Sequence, residues 1–133
     1  MIVLDASAAV ELLLALPLSS RVQVELERVE WQVAAPQLLE IEVLQVLRRR
    51  VSQGIATLAN AEEALDLFAD LNIRYYDHSP LARRVWELRG NLTAYDASYV
   101  ALAEKLELQL LTCDAALANA PGHNAQILLV SEP

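Results

Sequence analysis

Met1-Ile2-Val3-Leu4-Asp5-Ala6-Ser7-Ala8-Ala9-Val10 opens the chain with three apolar residues, two of them β-branched, then an aspartate, then an Ala/Leu-rich stretch that runs to Leu16 and meets Pro17. The pattern predicts a short buried strand over Ile2 to Leu4 and a helix over Ala6 to Leu16, with Asp5 at the junction. Working outward, the same alternation repeats. Ser19-Ser20 offer caps for a helix over Arg21 to Glu30, Trp31 to Ala34 suits a second strand, and Pro36 suits the first turn of a helix reaching Val51 before Gly54. Thr57 to Asp70 reads as a helix and Asn72 to Tyr76 as a strand. Pro80 opens a helix that Gly90 ends after Arg89, and Thr93 starts the next, to Glu107. Leu108 to Thr112, Asp114 to Asn119 and Gln126 to Val130 follow as strand, short helix and strand.

Short strands alternating with longer helices predict an α/β fold: a mainly parallel sheet of about five short strands with helices on both faces. At 133 residues, with 55% apolar, 21% charged and 5% aromatic, the composition fits a single domain over residues 1–133 with a core of its own. Cys113 is the only cysteine, which excludes an internal disulfide framework and a Cys-rich zinc site. No apolar run approaches the ~18 residues of a membrane span, and the start reads as a strand, not a secretion signal, so a cytoplasmic protein is expected. Eighteen acidic against ten basic residues give a charge of −8, which argues against non-specific nucleic-acid binding by bulk charge.

Three aspartates fall at helix starts: Asp5 after the first strand, Asp114 after the fourth, and Asp96 in the first turn of the helix after Gly90. In an open parallel sheet, ligands bind beyond the carboxyl ends of the strands, so Asp5 and Asp114 should face one region, and Asp96 joins them if its helix begins at that edge. Each also has a local explanation. Aspartate is a favoured N-cap, and Thr93 with Asp96 approximates a capping box. Glu42 is the fourth candidate. It lies at the margin of an apolar face formed by Leu39, Val43, Val46 and Leu47, on the side of Gln45 and Arg49, so a solvated polar face is its plain alternative.

Four carboxylates brought together repel one another and raise one another's pKa values unless a cation is present. All-oxygen ligation selects hard ions, Mg²⁺ or Mn²⁺, and such ions suit phosphodiester hydrolysis. Ser7 and Thr112, each two residues from an aspartate, either orient a carboxylate, water or phosphate or simply cap a helix. His78 and His123 stand in predicted loops and read as surface structure.

Taken in order, Met1-Ile-Val-Leu-Asp-Ala-Ser7, Ala35-Pro-Gln-Leu-Leu-Glu-Ile-Glu42-Val, Leu92-Thr-Ala-Tyr-Asp96-Ala-Ser-Tyr-Val-Ala-Leu-Ala103 and Leu110-Leu-Thr-Cys-Asp114 resemble the PIN-domain proteins, most closely the VapC-type toxin ribonucleases. The resemblance spans nearly the whole chain. It implies a PIN-like three-layer α/β/α sandwich and Mg²⁺-dependent endonucleolytic cleavage of RNA, inhibiting translation, with an acidic site at Asp5, Glu42, Asp96 and Asp114. It also implies a homodimer and a cognate VapB-type antitoxin, with operator DNA reached only through that antitoxin. Arg48, Arg49 and Arg50 are the candidate RNA contacts, with exposed helix charge as the alternative. The high apolar fraction predicts a dimer seam and a groove for an antitoxin helix, lined by the second and third helices and their neighbours. A catalytically silent PIN-like assembly module is the competing reading. A receiver-type switch would need a lysine near the last strands, whereas Lys105 lies within a predicted helix.

Overall fold

The computed structural model describes residues 1–132. Its elements are β1 (Ile2–Leu4), α1 (Ala6–Leu13), α2 (Ser19–Arg28), β2 (Val33–Pro36), α3 (Leu38–Ser52), α4 (Leu58–Asp70), β3 (Arg74–Tyr76), a 3₁₀ turn (Ser79–Leu81), α5 (Ala82–Glu87), α6 (Ala94–Leu106), β4 (Leu110–Thr112), α7 (Ala115–Asn119) and β5 (Ile127–Leu129). All strand pairs are parallel, in the order β3-β2-β1-β4-β5. The chain therefore builds outward from β1 to β3, then returns to lay β4 against the other side of β1. That reversal is a topological switch point, and it brings the ends of β1 and β4 together at the carboxyl edge of the sheet.

The three residues of β1 are all fully buried, as expected for a strand covered on both faces. α6 packs across β1, β2 and β4 with α5 outside it, while α1 packs against α2, α3 and α4. The result is the expected α/β/α arrangement. α6 is the most buried helix: Ala97 through Ala103 are all inside, and their small or apolar side chains let it approach the sheet closely.

Several boundaries differ from the sequence expectations. α1 ends at Leu13, three residues early, because Ala15 turns into the left-handed region at φ 51° ahead of Pro17. Glu30 and Trp31 both have positive φ, so Trp31 belongs to a turn, and the strand begins only at Val33. Pro36 does not open a helix. It closes β2, buried and in register with Tyr76, where a missing N–H costs little at the last strand position. Gln37 then donates to Tyr76 O at 3.1 Å, and Leu38 starts α3. Asn72, at φ 51°, turns the chain ahead of β3, which begins at Arg74. The expected helix from Pro80 to Arg89 divides into the 3₁₀ turn and a shorter α5 ending at Glu87.

Candidate active site

Asp5 caps α1: its backbone is extended and its Oδ1 accepts from the Ala8 N–H at 3.0 Å. Ser7 Oγ also donates to Oδ1, at 2.7 Å, and Thr112 Oγ1 donates to Oδ2 at 2.5 Å. Each hydroxyl accepts in turn from the β4–α7 junction, Ser7 from the Cys113 N–H at 2.9 Å and Thr112 from the Asp114 N–H at 3.0 Å. Both hydroxyl protons being committed to Asp5, the 3.2 Å approach of Ser7 Oγ to Thr112 Oγ1 is proximity only. This web fastens the loop after β1 to the loop after β4, elements separated by more than a hundred residues in sequence. An ionised carboxylate has about four acceptor positions. Three are taken at Asp5, which leaves one.

Asp114 caps α7 through Oδ1, which accepts from the Ala116 N–H at 2.9 Å and the Leu117 N–H at 3.3 Å. Thr93 caps α6, its hydroxyl accepting from the Asp96 N–H at 3.1 Å, so the hydroxyl half of the expected capping box is present. The capping reading holds at Asp5, Thr93 and Asp114, and these caps fix the backbone that carries the three aspartates.

Glu42 sits one turn into α3, half-buried, with Oε1 accepting from the Tyr99 hydroxyl at 2.6 Å. Its neighbours along the helix are Val46 and Arg50, the i+4 and i+8 positions, all three lining one cavity. Gln45 and Arg49 are exposed, and Gln45 accepts from Arg48 instead. Leu39, Val43 and Leu47 form the buried face, and Val46 is only half-buried beside Glu42. Glu40 is exposed and lines a different hollow, between α3 and α4.

Asp5, Glu42, Asp96 and Asp114 all line a single open cavity of about 380 Å³, together with Ser7, Glu11, Arg50 and Tyr99. The acids feel one another. Burial pushes Asp5 up to about 6 against the hydrogen bonds from Thr112, Ala8 and Ser7, and the charge of Asp96 adds to the rise. Burial raises Glu42, opposed by Tyr99 and assisted by Asp96. Burial also raises Asp96, with the Asp114 charge next and the Thr93 hydroxyl opposing. Glu11, a fifth acid at the rim, accepts from the Leu18 N–H at 3.0 Å and so braces the α1–α2 loop.

The donor set is entirely oxygen, and no cationic side chain among the described residues forms an ion pair with it, which suits a hard divalent cation. Among the described residues, no three or more Asp, Glu, His or Cys side chains stand close enough together to hold a metal ion between them as they are placed. Mg²⁺ keeps several waters and takes only one or two carboxylates directly, so a fit to these acids rests on their chemistry and not on a preformed shell.

Of the candidate arginines, Arg50 alone lines the acidic cavity; Arg48 and Arg49 are exposed elsewhere on α3. Arg50 makes no ion pair among the described residues. His78 Nε2 accepts from the Leu38 N–H at 3.0 Å and His123 Nδ1 from the Ala125 N–H at 3.1 Å, so both histidines serve loop structure. Burial, with Asp5 and Glu11 adding, pushes the Cys113 thiol up to about 12, which leaves it inert. Of the groove expected along the second and third helices and their neighbours, the structure has a hollow between α3 and α4, lined by Leu44, Leu65 and Phe68. A larger apolar hollow of about 520 Å³ lies between α5 and the start of α6, with Trp86 and Tyr95 at its rim.

Tyr99 was not among the residues the sequence singles out. It stands three positions after Asp96 on α6, so helical spacing gives it the same face, but nothing local shows that Glu42 from α3 meets it there.

The PIN domain family matches residues 2–122. Ribonuclease VapC12 of Mycobacterium tuberculosis is 40% identical over 131 residues, covering 98% of this chain and 100% of the relative. Ribonuclease VapC1 of the same organism is 47% identical over 97 residues, 72% of this chain and 73% of the relative. Among solved structures, PAE2754 from Pyrobaculum aerophilum superposes with a TM-score of 0.67 at 26% identity, over 95% of this chain and 81% of that one. VapBC2 from Rickettsia felis, bound to a DNA fragment from its promoter, superposes with a TM-score of 0.70 at 17% identity, over 98% and 100%, a likeness of fold.

Proposed function

The chain belongs to the PIN domain family, and on that premise we propose that it is an endoribonuclease toxin of a toxin–antitoxin pair, cleaving RNA and inhibiting translation with Mg²⁺, or Mn²⁺ in its place. One observation carries the reading: four carboxylates from four separate segments line one cavity at the carboxyl edge of the sheet, with no cationic side chain among the described residues paired to any of them. Charges of one sign held together at a cost in stability are expected where a bound cation offsets them.

Asp5, Asp96 and Asp114 would hold the cation, and Glu42 would hold it or orient the attacking water. The cation, once bound, supplies an activated water and stabilises charge on the attacked phosphate and the leaving oxygen. The chain's own part is positioning. Ser7 and Thr112 fix Asp5 in one rotamer through two short hydrogen bonds. Asp114 presents its second oxygen while the first caps α7. Arg50 is suited to hold a non-bridging phosphate oxygen at the cavity wall, since its guanidinium has no ion-pair partner among the described residues. With a net charge of −8, the chain has little bulk attraction for a polyanion, so substrate affinity should depend on the cation and Arg50.

A VapB-type antitoxin is the proposed partner, supported by the VapC relatives and by the fold shared with a VapBC pair on promoter DNA. Operator DNA would be reached through that antitoxin. A homodimer and a cytoplasmic location complete the proposal; no helix among the described residues is long and apolar enough to cross a membrane.

The test is Asp96→Asn with a structured or single-stranded RNA substrate. The variant should fold normally and lose Mg²⁺-dependent cleavage by roughly a hundredfold or more, matching wild type in excess EDTA. Full activity in the variant would overturn the assignment, and a wild type inert toward RNA would leave the silent assembly module standing.

A further inference from the structure

Tyr99 is 1% exposed and lines the acidic cavity, with its hydroxyl bonded to Glu42, another lining residue. The hydroxyl has a single proton, and that proton goes to Glu42 Oε1 at 2.6 Å. No other donor reaches Glu42 among the described residues, so this bond alone selects the orientation of a long side chain. The bond also crosses between elements. Asp96 and Tyr99 share a face of α6, whereas Glu42 belongs to α3. One helix therefore presents a site carboxylate directly and aims a second through a phenol.

We infer that Tyr99 is a positioning residue of the proposed hydrolytic site: by engaging Oε1 it holds Glu42 in the cavity with Oε2 as the oxygen left to meet a cation or its water. This rests on the cation reading of the site. The plainer role, in which Glu42 merely satisfies a buried phenol, accounts for the same hydrogen bond but predicts a different response to its loss. A buried tyrosine tip needs some acceptor. Were that all, removing the hydroxyl would touch stability and nothing else.

Tyr99→Phe separates the two, because the ring and its packing stay while the hydroxyl goes. Titration of Mn²⁺ into the metal-free protein by calorimetry should show cation affinity weakened about tenfold or more, the usual scale for losing a group that orients a ligand. In cleavage assays kcat should fall on the same scale with the KM for RNA little changed. The thermal midpoint should move by a few degrees at most. Glu42→Gln supplies the control: in that background the loss of the Tyr99 hydroxyl should cost no further cation affinity, since two groups acting through one contact are not additive. Wild-type affinity and kcat in Tyr99→Phe, whatever its midpoint, overturn the inference, as do additive effects in the double variant. A wild type that gives no heat with Mn²⁺ overturns the cation reading itself and the inference with it.

Discussion

Asp5 is the residue at which local and global demands conflict most. It is 5% exposed, accepts three hydrogen bonds, and is nonetheless raised to about 6 from 3.8, because burial outweighs those bonds. A carboxyl raised on folding contributes stability that is complete below its unfolded value and is lost as pH rises through its folded value. The metal-free protein should therefore lose about 1 kcal/mol from Asp5 alone between pH 5 and pH 7.5. Glu42 and Asp96 are raised too and act with the same sign. Glu104, lowered by its hydrogen bonds from Arg84, loses its contribution only as pH falls further, below the window used. Urea unfolding at the two pH values measures the slope, and Asp5→Asn should flatten it; an unchanged slope in the variant would contradict the assignment. Cys113 gives a second check. With its thiol at about 12, the thiolate fraction at pH 8 is lower by roughly a thousandfold than in an unfolded chain, so iodoacetamide should modify the native protein at least a hundredfold more slowly than the urea-unfolded one. Asp5, Asp96 and Asp114 were legible as candidates at this scale because each follows a strand or stands in the first turn of a helix, whereas Glu42, one turn into α3, had only its place at the margin of an apolar face. Tyr99 was not, because its role depends on a partner on another helix.

Among the elements, α6 carries the clearest consequence. Its N-terminus is held by the Thr93 hydroxyl bonding the Asp96 N–H, so one hydrogen bond both ends the helix and places a site carboxylate. Thr93→Ala should cost about 1 kcal/mol in a denaturation midpoint. It should also lower cleavage activity, and Thr93→Ser, which keeps the hydroxyl, should restore both; a stability loss with unaltered activity would separate the cap from the site. The caps at Asp5, Thr93 and Asp114 were readable because capping is a local chemistry of a few consecutive residues. The boundaries that were misread involve tertiary choices. Pro36 has the composition of a helix start, yet pairing with Tyr76 makes it the end of a strand. Trp31 has strand propensity, yet the left-handed turn at Glu30 and Trp31 removes it from the sheet. Helical periodicity placed Glu42 beside Gln45 and Arg49, while the packing of α3 against α1 turned the Glu42–Val46–Arg50 stripe toward the cavity.

For the whole molecule, the decisive fact is that β4 returns to the side of β1, which no local pattern specifies, although the alternation of strands and helices makes a parallel sheet with a switch point the expected outcome. That return concentrates carboxylate charge at one edge of a chain already at −8, so the fold carries a repulsion that ions should relieve in two distinguishable ways. Monovalent salt screens all exposed charge over about 10 Å at 0.1 M and should raise the thermal midpoint modestly and without regard to which acids are present. A cation bound at the cavity acts by mass action instead, adding about 2.7 kcal/mol when its concentration is a hundred times its dissociation constant. Millimolar Mg²⁺ or Mn²⁺, added at constant ionic strength, should therefore raise the midpoint beyond the salt effect and saturate. Asp96→Asn and Asp114→Asn should each keep the response to monovalent salt and lose the divalent increment, while starting from a higher midpoint in metal-free buffer because one repelling charge is gone. A divalent increment that survives in both variants would place the stabilising ion elsewhere on the acidic surface and detach the cavity from the proposed chemistry.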